Sequence, residues 1–203
     1  MALFILRHGE TLWNRDRRFQ GRLDSPLTEN GRDQARRYGA ALRRALGGRP
    51  PTLVSSPLGR AVETMRLACA AAGWDAQACR LDPDLQEISL GQFDGLTRDE
   101  IPDFADLVAR HEAFGSFFFH CPGGETWDEV ALRIDRAFGR IDPAADTVVF
   151  LHGVTGKMLR GRALGLDRAA TLALDHPQDA FYRLAAGAAE RIASVPGLLE
   201  PVE

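Results

Sequence analysis

The sequence predicts an α/β fold in which an open, mostly parallel sheet is flanked by helices on both faces. Short segments rich in Val, Ile and Leu alternate along the chain with longer amphipathic segments, which is the pattern of strands joined by helical crossovers. Parallel neighbours need such crossovers, because a tight turn brings the next strand back antiparallel. The chain has 203 residues, of which 45% are hydrophobic, and this is enough to build one core. We therefore expect a single domain over residues 1–203.

The first strand and the first long helix are predicted near the N-terminus. Ala2–Leu6 is an apolar run of strand length. Thr28–Leu46 carries apolar side chains at helical spacing and starts with a residue suited to the N-cap. The Gly47-Gly48 pair that follows is typical of a helix C-terminus. These two segments predict the first strand and helix of the alternation.

A second strand, helix and strand are predicted between residues 52 and 81. Thr52–Ser55 is strand-like, and Ser56-Pro57 is expected to open a helix that runs to about Ala72, because proline is favoured at the first helical position. Gln77–Leu81 is the next strand candidate.

The second half of the chain continues the alternation. Helices are predicted over Thr126–Ile141 and Thr155–Leu164, with the strand Thr147–Leu151 between them. Two further strands, Ala180–Ala185 and Arg191–Val195, close the chain. Ligands in sheets of this kind bind where the strands end at their carboxyl edges.

The composition argues against several classes of protein. The 25 Lys plus Arg and 28 Asp plus Glu give a net charge of −3, without the basic surface expected of a partner for nucleic acid or a membrane surface. Cys69, Cys79 and Cys121 lack metal-ligand spacing and are expected to be reduced thiols. No run approaches a membrane span, and the N-terminal apolar run is too short for a signal peptide. We expect a soluble, cytoplasmic protein.

Polar residues follow four of the predicted strands, close to the point where each strand ends. These segments are Arg7-His8-Gly9-Glu10, Arg60, Glu87 and His152-Gly153. Because the carboxyl ends of parallel strands meet at one edge of a sheet, we expect residues more than 140 positions apart to converge there.

The residue types in these segments are suited to phosphoryl transfer. Arg7 and Arg60 can each hold phosphate oxygens in a bidentate fork, and free N–H groups at the start of the helix carrying Arg60 would add positive potential. His8 is the candidate nucleophile, because a neutral imidazole has a free nitrogen lone pair. Glu87 could donate a proton to the departing oxygen and later accept one from the attacking water.

The ordered set of motifs closely resembles the histidine phosphatase superfamily, which includes phosphoglycerate mutases and many phosphatases. The matching segments are RHGETLWN at residues 7–14, Gln20-Gly21, SSPLGRA at 55–61, LQE at 85–87, PGGE at 122–125 and LHG at 151–153. The resemblance implies that His8 is phosphorylated, that Arg7, Arg60 and His152 complete the phosphate pocket and that Glu87 is the proton donor. It also implies that Asn14, Gln20, Gly21 and Gly153 line the pocket, and that no metal or other cofactor is needed.

Three functions remain open at this stage, and the first is favoured. A phosphomonoester hydrolase passes the phosphoryl group from His8 to water, whereas a mutase returns it to a second hydroxyl of the substrate. The segment between Glu87 and His152 looks shorter and less basic than the insertion with which the family's glycerate mutases hold a carboxylate substrate. A non-catalytic phosphate-binding scaffold is disfavoured because every catalytic position is present. The expected partner is a small phosphorylated substrate, and a homodimer is also compatible with the sequence.

Two further regions carry expectations. Residues 97–122 resemble the family's variable insertion over the site, and the Phe-rich stretch 114–119 is either a lid that favours a bulky or apolar leaving group or a subdomain that buries its aromatic rings. Lys157, the single lysine of the chain, and Arg160 are expected on a solvated helix face. His111, His120 and His176 are expected at the surface or behind the site.

Overall fold

The computed structural model describes residues 1–110 and 116–194, and within them a six-stranded sheet forms the centre of the molecule. The strand order is β3-β2-β4-β1-β5-β6. The strands are β1 Leu3–Arg7, β2 Thr52–Ser55, β3 Arg80–Leu81, β4 Thr147–Leu151, β5 Ala180–Ala185 and β6 Ala188–Ala193. The predicted α/β fold with a mostly parallel sheet is confirmed.

Helices cover both faces of this sheet. They are α1 Leu12–Arg15, α2 Glu29–Ala45, α3 Gly59–Ala72, α4 Phe104–Ala109, α5 Trp127–Gly139, α6 Gly153–Leu164 and α7 Arg168–Ala173. Successive side chains of a strand point to opposite faces, so Ile5 packs with α5 and α6 whereas Phe4 and Leu6 pack with α2 and α3. The alternation of β1 therefore builds two hydrophobic cores, one on each side. No described helix is both long enough and apolar enough to cross a bilayer.

The parallel part of the sheet comprises β3, β2, β4 and β1, whereas β5 and β6 are antiparallel. Ala186 and Gly187 both have positive φ and form a two-residue hairpin turn between β5 and β6. Because this turn is so short, β6 starts at Ala188 rather than at the predicted Arg191. Val195, the predicted end of that strand, lies outside the described residues.

Other element boundaries differ from the sequence prediction as well: α6 starts at Gly153 rather than Thr155, α5 ends at Gly139 rather than Ile141, and the starts of α3 and β3 are displaced for identifiable reasons. The Ser56 N–H still donates to Phe150 O at 2.9 Å as a continuation of the sheet, so the chain stays extended past Pro57 and α3 begins at Gly59. Only Arg80–Leu81 of the predicted strand Gln77–Leu81 pairs, because Asp75 caps a 3₁₀ turn that takes up Ala76–Ala78.

Candidate active site

A cavity of about 140 Å³ opens at the carboxyl ends of the parallel strands. All the site residues predicted from the sequence line it except His152. They are Arg7, His8, Asn14, Gln20, Gly21, Arg60, Glu87 and Gly153.

The pairing of β1 with β4 explains how residues from the two ends of the chain meet. Arg7 is in register with Leu151, and the His8 N–H donates to Leu151 O at 2.9 Å. His8 and His152 therefore leave adjacent strands side by side, with their ring centroids 5.3 Å apart.

His8 is held as a neutral imidazole with one defined tautomer. Its Nδ1 lies 2.7 Å from Gly9 O, and because a carbonyl oxygen can only accept, Nδ1 carries the proton. Nε2 then bears the lone pair and accepts from Arg60 Nε at 3.3 Å. Burial, reinforced by the positive charges of Arg60 and Arg7, holds the pKa of His8 well below its ordinary value. The unprotonated nitrogen thus faces an arginine at the cavity.

Arg60 is 2% exposed, and its guanidinium is fixed by contacts from the loop before α2. It donates to Leu23 O at 2.6 Å, to Gly21 O at 2.8 Å and to Asp24 Oδ1 at 3.0 Å. Gly21 has a φ of +50°, and a Cβ there would overlap the carboxylate of Asp94, so this turn requires glycine. In this conformation the loop presents the carbonyl oxygens of Gly21 and Leu23 to Arg60.

The first N–H groups of α3 do not add free donors to the cavity, contrary to the sequence expectation. The backbone N–H groups of Gly59 and Arg60 donate instead to the carboxylate of Asp24. Leu58 stands at the N-cap and has no capping side chain, so a carboxylate from another loop takes over that role.

Glu87 occupies the corresponding position at the start of α6. Its carboxylate accepts from the backbone N–H groups of Val154 and Thr155 and from its own neighbour Ile88, each at 3.1 Å. The side chain therefore caps the helix that follows His152, and the three donors fix its orientation at the cavity. At Gly153, a Cβ would lie 2.9 Å from the ring of His176. The close approach of the loop that carries His176 to the start of α6 therefore depends on glycine.

A buried ion pair supports the segment that carries Glu87. Arg133 on α5 is 5% exposed and donates to the carbonyl oxygens of Asp84 and Gln86 at 2.7 and 2.6 Å. It also donates to both carboxylate oxygens of Glu125, and one of these, Oε2, accepts from Ser89 N as well, at 2.9 Å. The PGGE motif thus contributes a carboxylate that holds the backbone on both sides of Glu87.

The residues on the other wall are joined by Gln178. Its amide Nε2 donates to His8 O at 3.1 Å and to Asn14 Oδ1 at 3.0 Å, and Arg7 Nη1 donates to His176 O at 2.9 Å. Two buried polar atoms here, Arg7 Nε and Gln20 Oε1, have no hydrogen-bond partner within the described ranges.

His152 lies behind the cavity rather than on its surface. Its Nε2 is 2.7 Å from Ser56 Oγ, and Nδ1 is buried without a partner among the residues described. Burial and the nearby charge of Arg60 hold the pKa of His152 well below its ordinary value. The second imidazole is therefore also neutral.

Sequence reasoning missed several residues of the cavity wall. His176 lines the cavity, and Gln178 binds His8 and Asn14, because antiparallel β5 returns the preceding loop beside β1. No local motif marks that loop. Phe118 also lines the cavity, whereas Phe117 and Phe119 are buried in the core, and His111 and Phe114 lie outside the described residues.

The expectation that Lys157 and Arg160 face solvent is wrong. Helix α7 packs against α6, so the side of α6 that would otherwise be exposed is covered. Lys157 is half-buried and lines the cavity. Arg160 is 4% exposed, stacks over the Tyr182 ring at 3.8 Å and pairs with Asp175.

The charge of the cavity comes from side chains. Across residues 1–110 and 116–194, no group of three or more His, Cys, Asp or Glu side chains is arranged to hold a metal ion. The guanidinium groups of Arg7 and Arg60 bring positive charge to the cavity beside His8.

Comparison with known proteins places the chain in a family. It is 32% identical over 169 residues to "Probable phosphoglycerate mutase GpmB" of Enterobacter sp. (strain 638), covering 82% of this chain and 76% of that protein. The crystal structure of TTHB049 from Thermus thermophilus superimposes with a TM-score of 0.67 at 33% identity, covering 95% of this chain and 99% of the other. Rv3214 from Mycobacterium tuberculosis superimposes with a TM-score of 0.71 at 26% identity, covering 96% and 98% of the two chains. The family model of the histidine phosphatase superfamily (branch 1) matches residues 3–192, and the chain belongs to that superfamily.

Proposed function

We propose that this protein hydrolyses phosphomonoesters through a phosphohistidine formed on His8. The observation that carries the proposal is the unprotonated Nε2 of His8, which faces Arg60 in a cavity that Glu87 also lines. A nucleophile, an anion-binding arginine and a proton-transferring carboxyl group are the minimum set for this chemistry.

In the first step, the phosphate group of the substrate enters between Arg7 and Arg60, which bind its oxygens. Arg60 exchanges its contact with His8 Nε2 for one with a phosphate oxygen, which frees the lone pair. Nε2 attacks phosphorus, the bond to the ester oxygen breaks, and the carboxylic acid form of Glu87 donates its proton to that oxygen. The alcohol leaves, and His8 carries the phosphoryl group.

In the second step, the Glu87 carboxylate accepts a proton from a water molecule, which attacks phosphorus. The phosphorus–nitrogen bond breaks, inorganic phosphate forms, and His8 and the acid form of Glu87 are regenerated. The backbone N–H groups of Val154 and Thr155 hold the side chain of Glu87 in the same position for both steps.

The apolar part of the cavity lining supports hydrolysis over mutase activity. Its side chains favour an organic group that is larger and less polar than glycerate. They are Phe19, Ile88, Leu90, Phe118, Val154, Met158 and Leu172. Phosphoglycerate mutase activity is the second candidate, and the name of the Enterobacter relative favours it.

The test is a reaction with 4-nitrophenyl [³²P]phosphate in buffer containing EDTA, stopped without acid because phosphohistidine is labile in acid. Label on the protein and released inorganic phosphate are then measured. We expect alkali-stable label on the wild-type protein and release of inorganic phosphate, whereas His8→Ala shows neither. Glu87→Gln should still accept label when the leaving group is nitrophenolate, which needs no proton, but should lose it slowly to water.

Three results would overturn the proposal. Absence of both label and phosphate release would favour a binding protein. Because 2,3-bisphosphoglycerate can prime a mutase, 3-phosphoglycerate is tested in its presence. Isomerisation that is faster than phosphate release under these conditions would favour a mutase. Label that persists on His8→Ala would place the nucleophile elsewhere.

A further inference from the structure

The cavity lining contains two chemically different sets of side chains. One set is Arg7, His8, Arg60 and Glu87, which the proposed function uses. The other set is mainly apolar, and it includes the ammonium group of Lys157. The proposed chemistry leaves this cation unused.

Lys157 has an unusual environment for a lysine. It is half-buried, and its Nζ donates to Leu172 O at 3.0 Å, which is its one hydrogen bond among the residues that the structure describes. No described carboxylate lies within ion-pair distance of it. Burial, together with the charge of Arg160, lowers the pKa of Lys157 from its ordinary value. An ammonium has three N–H donors, so two remain for a partner.

The two nearest arginines differ from Lys157, because each of them pairs with a carboxylate. Arg18 donates to Gly95 O at 2.5 Å and pairs with Glu100 at 2.7 Å. Arg160 lies one turn beyond Lys157 but is held by Asp175 and Tyr182. Among the described residues, Lys157 is thus the cation of the cavity lining that the proposed chemistry does not use and that has no carboxylate partner, and it keeps two N–H donors for a ligand.

Helix geometry sets the spacing between Lys157 and the phosphate end. Val154, Lys157 and Met158 share one face of α6, since the second and third lie three and four residues after the first, and all line the cavity. Gly153 begins the same helix, at a point where a Cβ would lie 3.5 Å from Glu87 Oε2. Four residues of rise, about 6 Å along the helix axis, separate it from Lys157. An aromatic ring attached to the phosphate can bridge that length while packing against Phe19 and Phe118.

We propose that Lys157 forms a second anchor for the substrate, and that the cavity takes aryl phosphomonoesters carrying a carboxylate on the ring. The inference rests on the proposed hydrolysis at His8 and adds its substrate class. The apolar wall accepts the ring, and the two free N–H donors of Lys157 bind the carboxylate through charge-assisted hydrogen bonds.

The test compares phenyl phosphate with 3-carboxyphenyl and 4-carboxyphenyl phosphate. For the wild-type protein, we expect kcat/KM for one carboxylated isomer to exceed that for phenyl phosphate. In Lys157→Met this preference ratio should fall about tenfold, mainly through KM, because the lost interaction holds bound substrate. Lys157→Arg should retain part of the preference, since it keeps the charge.

Arg162→Met is the matched control. Arg162 lies on the same helix but is exposed, pairs with Asp135 on α5 and does not line this cavity. Its preference ratio should stay within about twofold of wild type. Thermal unfolding of each variant, with Lys157→Gln as a second neutral replacement, separates a loss of recognition from a loss of folding.

The outcomes distinguish this inference from the proposed function. If the wild type hydrolyses phenyl phosphate but prefers neither carboxylated isomer, or if Lys157→Met and Lys157→Gln keep the preference, the second anchor is wrong and hydrolysis at His8 stands. If no ester is hydrolysed and no phosphohistidine forms, the proposed function itself fails.

Discussion

At the scale of single residues, two neutral imidazoles lie beside two guanidinium groups. His8 and His152 are 3% and 1% exposed, and the pKa of each is held well below its ordinary value of about 6.5 by burial and by Arg60. The neutral state of His8 is what its role as a nucleophile requires.

The same shift makes stability depend on pH. In the unfolded chain, histidine binds a proton as the pH falls through about 6.5, whereas folded His152 stays neutral until a lower pH. The unfolded state then binds more protons, so the free energy of unfolding decreases as the pH falls from about 6.5 towards 5. Each such histidine contributes a slope of about 1.4 kcal/mol per pH unit.

Urea unfolding at several pH values checks this expectation. We predict that His152→Gln is less stable than wild type at pH 7.5 but has a shallower slope below pH 6.5, by about 1.4 kcal/mol per pH unit. Parallel slopes for the two proteins would contradict the assignment of His152 as a buried neutral imidazole.

At the scale of elements, α3 and α6 are used in the same way. Both begin at the cavity, and neither has a capping side chain at its own N-cap residue, Leu58 or His152. Asp24 and Glu87, from other segments, accept the N–H groups of the two first turns. The interactions that satisfy the helix ends therefore also orient Arg60 and Glu87.

Neighbouring residues of the 3₁₀ turn Phe117–Phe119 have different surroundings, because some pack in the core and one lines the cavity. Phe117 is fully buried and contacts the rings of Phe19 and Phe104, whereas Phe118 lines the cavity. The burial of Phe117 and Phe119 agrees with the interpretation that the segment buries its aromatic rings. A lid that favours a bulky or apolar leaving group, and a covering role for residues 97–122, stay predictions.

Alanine variants of these neighbours should behave differently. Phe117→Ala should lower the free energy of unfolding by about 3–5 kcal/mol, because it opens a cavity in the core. Phe118→Ala should cost less stability but lower kcat/KM for phenyl phosphate relative to glycerol phosphate, because the aryl group loses its contact. Urea unfolding and steady-state kinetics measure the two effects, and an unchanged substrate ratio in Phe118→Ala would remove Phe118 from the recognition surface.

At the scale of the whole molecule, the candidate site joins segments that are remote in sequence. Arg7 ends β1, Arg60 lies in α3, Glu87 follows β3, and Gly153 begins α6. An anion bound among them would connect the N-terminal and C-terminal halves of the chain, and it would favour the folded state because the unfolded chain has no such site.

Inorganic phosphate should therefore raise the thermal midpoint of the protein. At a concentration one hundred times its Kd, the expected gain is about 2.7 kcal/mol. Arg60→Lys, which keeps the charge but loses the planar fork, should show a smaller increase, whereas Arg66→Met on the exposed side of the same helix should respond as wild type does. Equal increases in Arg60→Lys and wild type would argue against phosphate binding at Arg60.

Much of the architecture could be predicted because local sequence patterns indicate the helices and strands. The helix from Thr28 was predicted from its cap and its apolar spacing, and β4 from its apolar run. The start of α3 at Gly59 could not, since it depends on the hydrogen bond from Ser56 to Phe150, which is remote in sequence. The shortness of β3 has a local cause, the turn in which Gln77 N–H donates to Asp75, and the apolar pattern does not report that turn.

By itself, the sequence determined the class of fold and which polar residues follow the strands, because hydrophobic periodicity reports which face of each element is buried. Tertiary structure alone decided which strands are neighbours, and with that the contacts of His8, the wall formed by Lys157 and the bridge made by Gln178. The physical reason is that periodicity records burial but not the identity of the partner, which is selected by the packing of the whole chain.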